Sequence, residues 1–146
     1  MKIFYAIIST MEQPHSEATD MQKMIADYME NGLLDNIIDM FKYEKTLYDY
    51  IPGLITDERL RVRIGTIALL ETLKTEDAGS MGKAITSLVP LLKDGSPLIK
   101  GDVAYVLGLI GDQETIGVLE QLTNNEDPNV RIIAQEAIED IRSRQS

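Results

Sequence analysis

The sequence predicts an all-α fold built as a stack of helical hairpins. Three observations carry that expectation. A pattern recurs without gaps in three segments, "LYDYIPGLITDERLRVRIGTIALLETL" (47–73), "AITSLVPLLKDGSPLIKGDVAYVLGLI" (84–110) and "TIGVLEQLTNNEDPNVRIIAQEAIEDI" (115–141). Each copy carries apolar residues at helical spacing in both halves. Each is interrupted in the middle by a short polar turn rich in Asp, Asn, Gly or Pro.

Taken in order, the chain opens on "MKIFYAIISTMEQPHS", whose apolar run Ile3–Ile8 is too short for a signal core or a membrane span. It reads as a short helix or an extended arm broken near Pro14, and with no export signal the expected location is the cytoplasm. Residues 20–46 read as two helices. Met21, Met24, Ile25 and Tyr28 fall at i, i+3, i+4 and i+7, as do Leu34, Ile37, Ile38 and Phe41. Asn31-Gly32 between them suits a helix C-terminus followed by a turn. Residues 1–46 are therefore expected to form an N-terminal helical cap. Residues 47–146 would carry the three repeats, all within a single compact domain.

Within the repeats the apolar columns align. Ile51, Leu88 and Leu119 match, as do Leu54, Leu91 and Leu122, on the first helix of each hairpin. On the second helix the matched sets are Val62, Ile99 and Val130; Thr66, Val103 and Ala134; Leu69, Val106 and Ala137; Leu70, Leu107 and Ile138; and Leu73, Ile110 and Ile141. The small residues of the last copy predict close helix packing. Pro97 and Pro128 align at the start of their second helices, where proline is tolerated. The tail "RSRQS" (142–146) is expected to fray.

The segment "DPNVRIIAQEAI" resembles the second-helix signature of HEAT-like repeats, in particular the short type named after phycobilisome lyases. The resemblance covers residues 47–141, about two thirds of the chain, and weakens in the first copy, where "RVRIGTIALL" lacks the usual alanine. It implies a right-handed α-solenoid. It also implies that Asp57, Asp94 and Asn125, each six residues before Arg63, Lys100 and Arg131, form a structural ladder bridging successive hairpins. Asn125 and Lys100 depart from the Asp/Arg pair of such families, which predicts a weaker ladder in the later copies.

Composition excludes several classes of function. The formal charge is −10, which opposes nucleic acids and anionic membranes, since both draw proteins mainly through lysine and arginine. The chain has no cysteine, so thiolate metal sites and cysteine nucleophiles are absent. His15 is the only histidine, with no companion at ligand spacing. HEAT-like hydroxylases hold iron with several His-Glu pairs, and this sequence has none. "AGSMGKA" (78–84) fails as a phosphate loop: Asp77 stands where glycine is needed, Ala84 where serine or threonine is needed, and no strand precedes it. "RLRVR" places Arg59, Arg61 and Arg63 together, but Asp57 and Glu58 neutralise that turn.

No catalytic residue, cofactor or metal site is predicted, and what remains is surface. If second helices line one face, their non-core columns are Gly65, Asp102 and Ile133; Ala68, Tyr105 and Glu136; and Thr72, Leu109 and Asp140. Asp102, Tyr105, Leu109, Glu136 and Asp140 are the candidate partner-binding residues, with Tyr105 the expected hot spot because tyrosine supplies contact area and a hydrogen bond together. The expected function is a non-catalytic protein–protein interaction scaffold or adaptor subunit. The alternatives are an accessory or lyase-like subunit acting on a bound small molecule, and self-association.

Overall fold

The computed structural model describes residues 16–93 and 96–145. The expectations for residues 1–15, His15 included, and for Asp94 fall outside them. The chain divides into two compact units, Met1–Leu69 and Leu70–Ser146.

In the N-terminal unit, α1 (Ser16–Glu30) and α2 (Leu34–Tyr43) are the two helices expected between residues 20 and 46. Met21, Ile25 and Met29 bury one side of α1, and Ile37, Ile38, Met40 and Phe41 bury one side of α2. The methionines therefore serve mainly as core filler, which their flexible thioethers suit. At the end of α1 the chain reverses through Gly32, whose φ of 79° lies in the left-handed region. Leu33 N–H donates to the Tyr28 carbonyl at 2.9 Å and Gly32 N–H to the Met29 carbonyl at 3.1 Å. That pair of bonds is a Schellman motif, which uses carbonyls the helix leaves unpaired and favours glycine at the reversal.

A single first helix is expected from Leu47 onward; the structure splits it into a 3-10 turn, Lys45–Tyr50, and the short α3 (Ile51–Ile55). Glu44 opens the 3-10 turn by accepting the Thr46 N–H at 3.3 Å and the Thr46 hydroxyl at 2.9 Å. Pro52 sits in the first turn of α3, where it needs no donor. The rings of Phe41 and Tyr48 meet edge to face with centroids 5.2 Å apart, a favoured aromatic geometry. Leu47, Tyr48, Ile51, Leu54 and Ile55 complete this core. Helix α4 (Leu60–Glu76) begins in this unit and continues into the next.

The C-terminal unit contains α5 (Met81–Leu88), α6 (Pro97–Ile110), α7 (Gln113–Glu120) and α8 (Pro128–Gln145). The first helices α5 and α7 each run on into a 3-10 segment, Val89–Lys93 and Gln121–Asn124. Ser96 caps α6 by accepting the Ile99 N–H at 3.4 Å. Asp112 and Thr115 form a reciprocal capping box on α7: the Thr115 N–H reaches Asp112 Oδ1 at 3.2 Å, and the Asp112 N–H reaches Thr115 Oγ1 at 3.1 Å. Such caps satisfy donors that no helix can pair internally. Helices α6 and α8 make the most extensive contact of the unit. They approach closely because α6 presents Gly101, Ala104 and Gly108 to Ile133 and Ala137 of α8; a methyl group on Gly108 would lie only 2.8 Å from the Ala137 Cα.

The aligned columns bury as a set. Thr66, Val103 and Ala134 are buried, as are Leu69, Val106 and Ala137, then Leu70, Leu107 and Ile138, then Leu73, Ile110 and Ile141. Ile51, Leu88 and Leu119 are fully enclosed, whereas Ile99 and Leu91 are half-buried, with Leu92 buried beside the latter. The expected fraying of the tail is corrected over 142–145. Helix α8 runs to Gln145, and Arg144 donates to the carbonyls of Gly108 at 2.6 Å and Gly111 at 2.9 Å. These carbonyls lie at the C-terminal end of α6, where a cation is favoured by the helix dipole and by unpaired acceptors. That bond ties the last turn of α8 to the preceding helix.

Candidate interaction surface

The arginine column has a definite geometry. Arg63 Nη1 donates to the carbonyls of Asp57 at 2.8 Å and Glu58 at 3.0 Å. Arg131 Nη1 donates to the carbonyls of Asn125 at 2.7 Å and Glu126 at 3.1 Å. The two cradles use equivalent positions of separate repeats, with the partner six residues upstream as the sequence indicated. The acceptors, however, are main-chain oxygens. The Asn125 and Glu126 carbonyls lie in the turn of Arg131's own hairpin, so these bonds close that turn and do not bridge to another hairpin. The side-chain oxygens are engaged elsewhere: both Asp57 oxygens hold Arg59, and Asn125 Oδ1 accepts the Asp127 N–H at 3.0 Å. Lys100, the middle member, lines a cleft of about 330 Å³ with Pro97, Asn125, Glu126, Asp127 and Pro128.

Asp57 belongs to a charge cluster that the sequence did not reveal in full. Arg59 Nε donates to Asp57 Oδ1 at 3.0 Å and Nη2 to Oδ2 at 3.1 Å, a bidentate pair. Its Nη1 reaches back to Asp27 Oδ1 on α1 at 2.8 Å. The hydrogen bond from Arg59 holds the Asp57 carboxyl below its ordinary value, and the two carboxylates raise the guanidinium in turn. These bonds fasten the turn before α4 to α1.

The candidate partner-binding residues lie on the second helices of the C-terminal unit. Leu98, Asp102, Tyr105 and Leu109 are spaced by four, three and four residues and share one stripe of α6. Leu98 is 57% exposed and Tyr105 48%, while Asp102 and Leu109 are half-buried. The equivalent stripe of α8 is Asn129, Ile133, Glu136 and Asp140; Glu136 and Asp140 are exposed, and Ile132 at its edge is 53% exposed. Ile133 also lies toward α6, since its Cδ1 would touch a side chain placed on Gly101. The two stripes thus run side by side. Leu98 and Ile132 were missed in the sequence reading, although a four-residue step back from Asp102 reaches Leu98.

Two other features resolve plainly. Residues 78–84 form a 3-10 turn, Ala78–Ser80, leading into α5, with helix α4 before them and not a strand. A shallow groove of about 410 Å³ runs between α5 and α7, lined by Ile85, Val89, Pro90, Thr115 and Val118 among others. Among the described residues there is no cluster of three acidic or histidine side chains able to hold a metal ion, and no helix long and apolar enough to cross a membrane.

The family model for HEAT repeats matches residues 85–146, which span the paired hairpins just described. That stretch is made of HEAT repeats. A crystal structure of an engineered protein is similar across 96% of this chain, with a TM-score of 0.53 and 18% sequence identity; the chain spans 62% of that protein's length. At that identity the likeness speaks to fold alone, an all-α solenoid, in agreement with the helices here and with the absence of strands among the described residues. No curated protein matches the sequence. HEAT repeats generally mediate protein–protein interaction.

Proposed function

We propose that this chain is a non-catalytic docking module that binds a partner protein on the α6–α8 face. The observation that carries the proposal is the exposure of large apolar side chains there. Leu98 and Tyr105 stay in solvent although the unit has already enclosed Val103, Val106, Leu107, Val130 and Ala134, and Ile132 is exposed beside the α8 stripe. Exposed apolar groups gathered on one face favour removal from water, at roughly 25 cal/mol per Å² covered. Tyr105 is the central anchor, with Asp102, Leu109, Glu136 and Asp140 around it. Within this reading residues 1–46 act as a cap, residues 47–146 carry the binding repeats, and the Arg63 and Arg131 columns are structural.

Affinity capture from native lysate with the intact chain and with Tyr105→Ala tests the proposal. A stoichiometric protein held by the first and lost by the second is the expected result. Retention by both places the docking face elsewhere. Turnover by the isolated chain, or a small molecule co-purifying with it, favours the lyase-like alternative.

A further inference from the structure

The charge pattern around the exposed row specifies what kind of partner can cover it. On α6 the stripe reads Leu98, Asp102, Tyr105, Leu109, and on α8 Asn129, Ile133, Glu136, Asp140. It mixes apolar side chains with carboxylates and contains neither lysine nor arginine. Cations elsewhere on these helices are directed away from it or engaged. Arg131 is bonded to the turn carbonyls of Asn125 and Glu126, and Arg144 to the carbonyls of Gly108 and Gly111. Arg142 pairs with Glu120 of α7 at 3.6 Å. Lys100 lies in the cleft with Asn125 and Glu126. A ligand covering the stripe from Leu98 to Leu109 must therefore bring the Glu136 and Asp140 carboxylates out of water without a compensating charge from this chain. Stripping hydration from an unpaired carboxylate costs several kcal/mol, so an acidic or neutral apolar ligand is penalised.

Resting on the docking reading above, we infer that the partner is a cationic amphipathic segment of another protein. It seats apolar side chains on Leu98, Tyr105 and Ile133 and sets lysine or arginine against Glu136 and Asp140. A second copy of this chain is a poor occupant, because two chains of formal charge −10 would bring carboxylate to carboxylate.

The probe is a fluorescein-labelled amphipathic helix of leucine and lysine, about 18 residues or five turns long, with a leucine–glutamate peptide of the same length as its counterpart. Anisotropy gives affinity, and amide chemical-shift mapping gives location. The expected result is binding of the lysine peptide alone, with shifts centred on Tyr105, Ile133 and Glu136. The double variant Glu136→Lys and Asp140→Lys should weaken it at least tenfold, about the loss of one close charge pair. The double variant Asp39→Lys and Asp49→Lys makes the same change in net charge on exposed positions of the N-terminal unit and should leave affinity within about twofold.

Equal weakening by both double variants would mean general charge attraction and would overturn the inference. Shifts centred elsewhere, equal binding of the glutamate peptide, or self-association through this face seen by light scattering would do the same. Loss of lysate capture on Tyr105→Ala but not on the Glu136/Asp140 reversal overturns the cationic partner while leaving the docking face standing. Indifference to Tyr105 removes the docking face itself.

Discussion

Glycine at two helical positions of the C-terminal unit should respond to the same substitution with opposite signs. Gly117 lies in the middle of α7, and a methyl group there meets nothing within 4 Å. Gly117→Ala should stabilise the protein by about 0.5–1 kcal/mol, the difference in helix propensity and unfolded-chain entropy between the two residues. Gly108 lies on α6 against α8, and its methyl group would stand 2.8 Å from both the Cα and the Cβ of Ala137. Carbon contacts are comfortable at roughly 3.5–4 Å, so the helices would have to separate by the better part of an ångström. The obstacle includes main chain, and no rotamer change relieves it. Overpacking of this kind costs about 1–3 kcal/mol, which exceeds the propensity gain of up to about 1 kcal/mol. Gly108→Ala should therefore destabilise by about 1 kcal/mol net, and Gly108→Val by more. Urea unfolding followed by circular dichroism reads both changes on one scale. A Gly108→Ala protein as stable as Gly117→Ala would refute the close α6–α8 approach and the placement of the facing stripes built on it.

Arg131→Ala removes two charged hydrogen bonds to the Asn125 and Glu126 carbonyls; at this half-exposed position the expected loss is about 1–2 kcal/mol, seen as a lower Tm without any partner present. Unchanged stability combined with lost partner capture would turn Arg131 into a binding residue. Asp57 contributes stability through its depressed carboxyl, pulled below the ordinary 3.8 by the Arg59 hydrogen bond. A group lowered in the folded state contributes fully above its unfolded value and loses that contribution as pH falls through the folded one. The stability gap between the intact chain and Asp57→Asn should therefore be constant above about pH 5 and close as pH falls below it; a gap that widens on acidification would contradict the pairing.

The repeat columns were readable because burial in a helical hairpin follows a short-range period, and Leu70, Leu107 and Ile138 occupy equivalent buried positions for that reason. The six-residue spacing of Arg131 from Asn125 was equally visible, but the acceptor was not. A sequence displays side chains, and the asparagine amide draws attention from the carbonyl one bond chain away. Arg59 and Asp27 are 32 residues apart, and Arg144 and Gly108 are 36 apart. Neither pair belongs to a repeated column, so no periodicity could announce them. The splitting of the first helix between Tyr50 and Ile51 into 3-10 and α pieces depends on how its residues pack, which local propensity does not determine. At the candidate surface, Tyr105, Glu136 and Asp140 followed from the non-core columns. Leu98 lies a turn before the first non-core column, Gly65, Asp102 and Ile133, so the repeat pattern does not single it out.

The arginine cradle has a consequence for how such a chain changes over generations. Its acceptors are main-chain oxygens, which every residue type supplies, and for Arg131 they lie in its own turn. A mutation at either turn position exchanges the side chain but leaves the oxygen in place. Aspartate stands at position 57 and asparagine at 125, and the cradle is present in both copies. A duplicated hairpin would also arrive with this fastening already inside it, owing nothing to the sequence of its new neighbour. Lineages can lengthen such an array by copying units whole and let turn residues diverge afterwards, with the turn-closing arginine, in the copies that carry it, as the position under restraint.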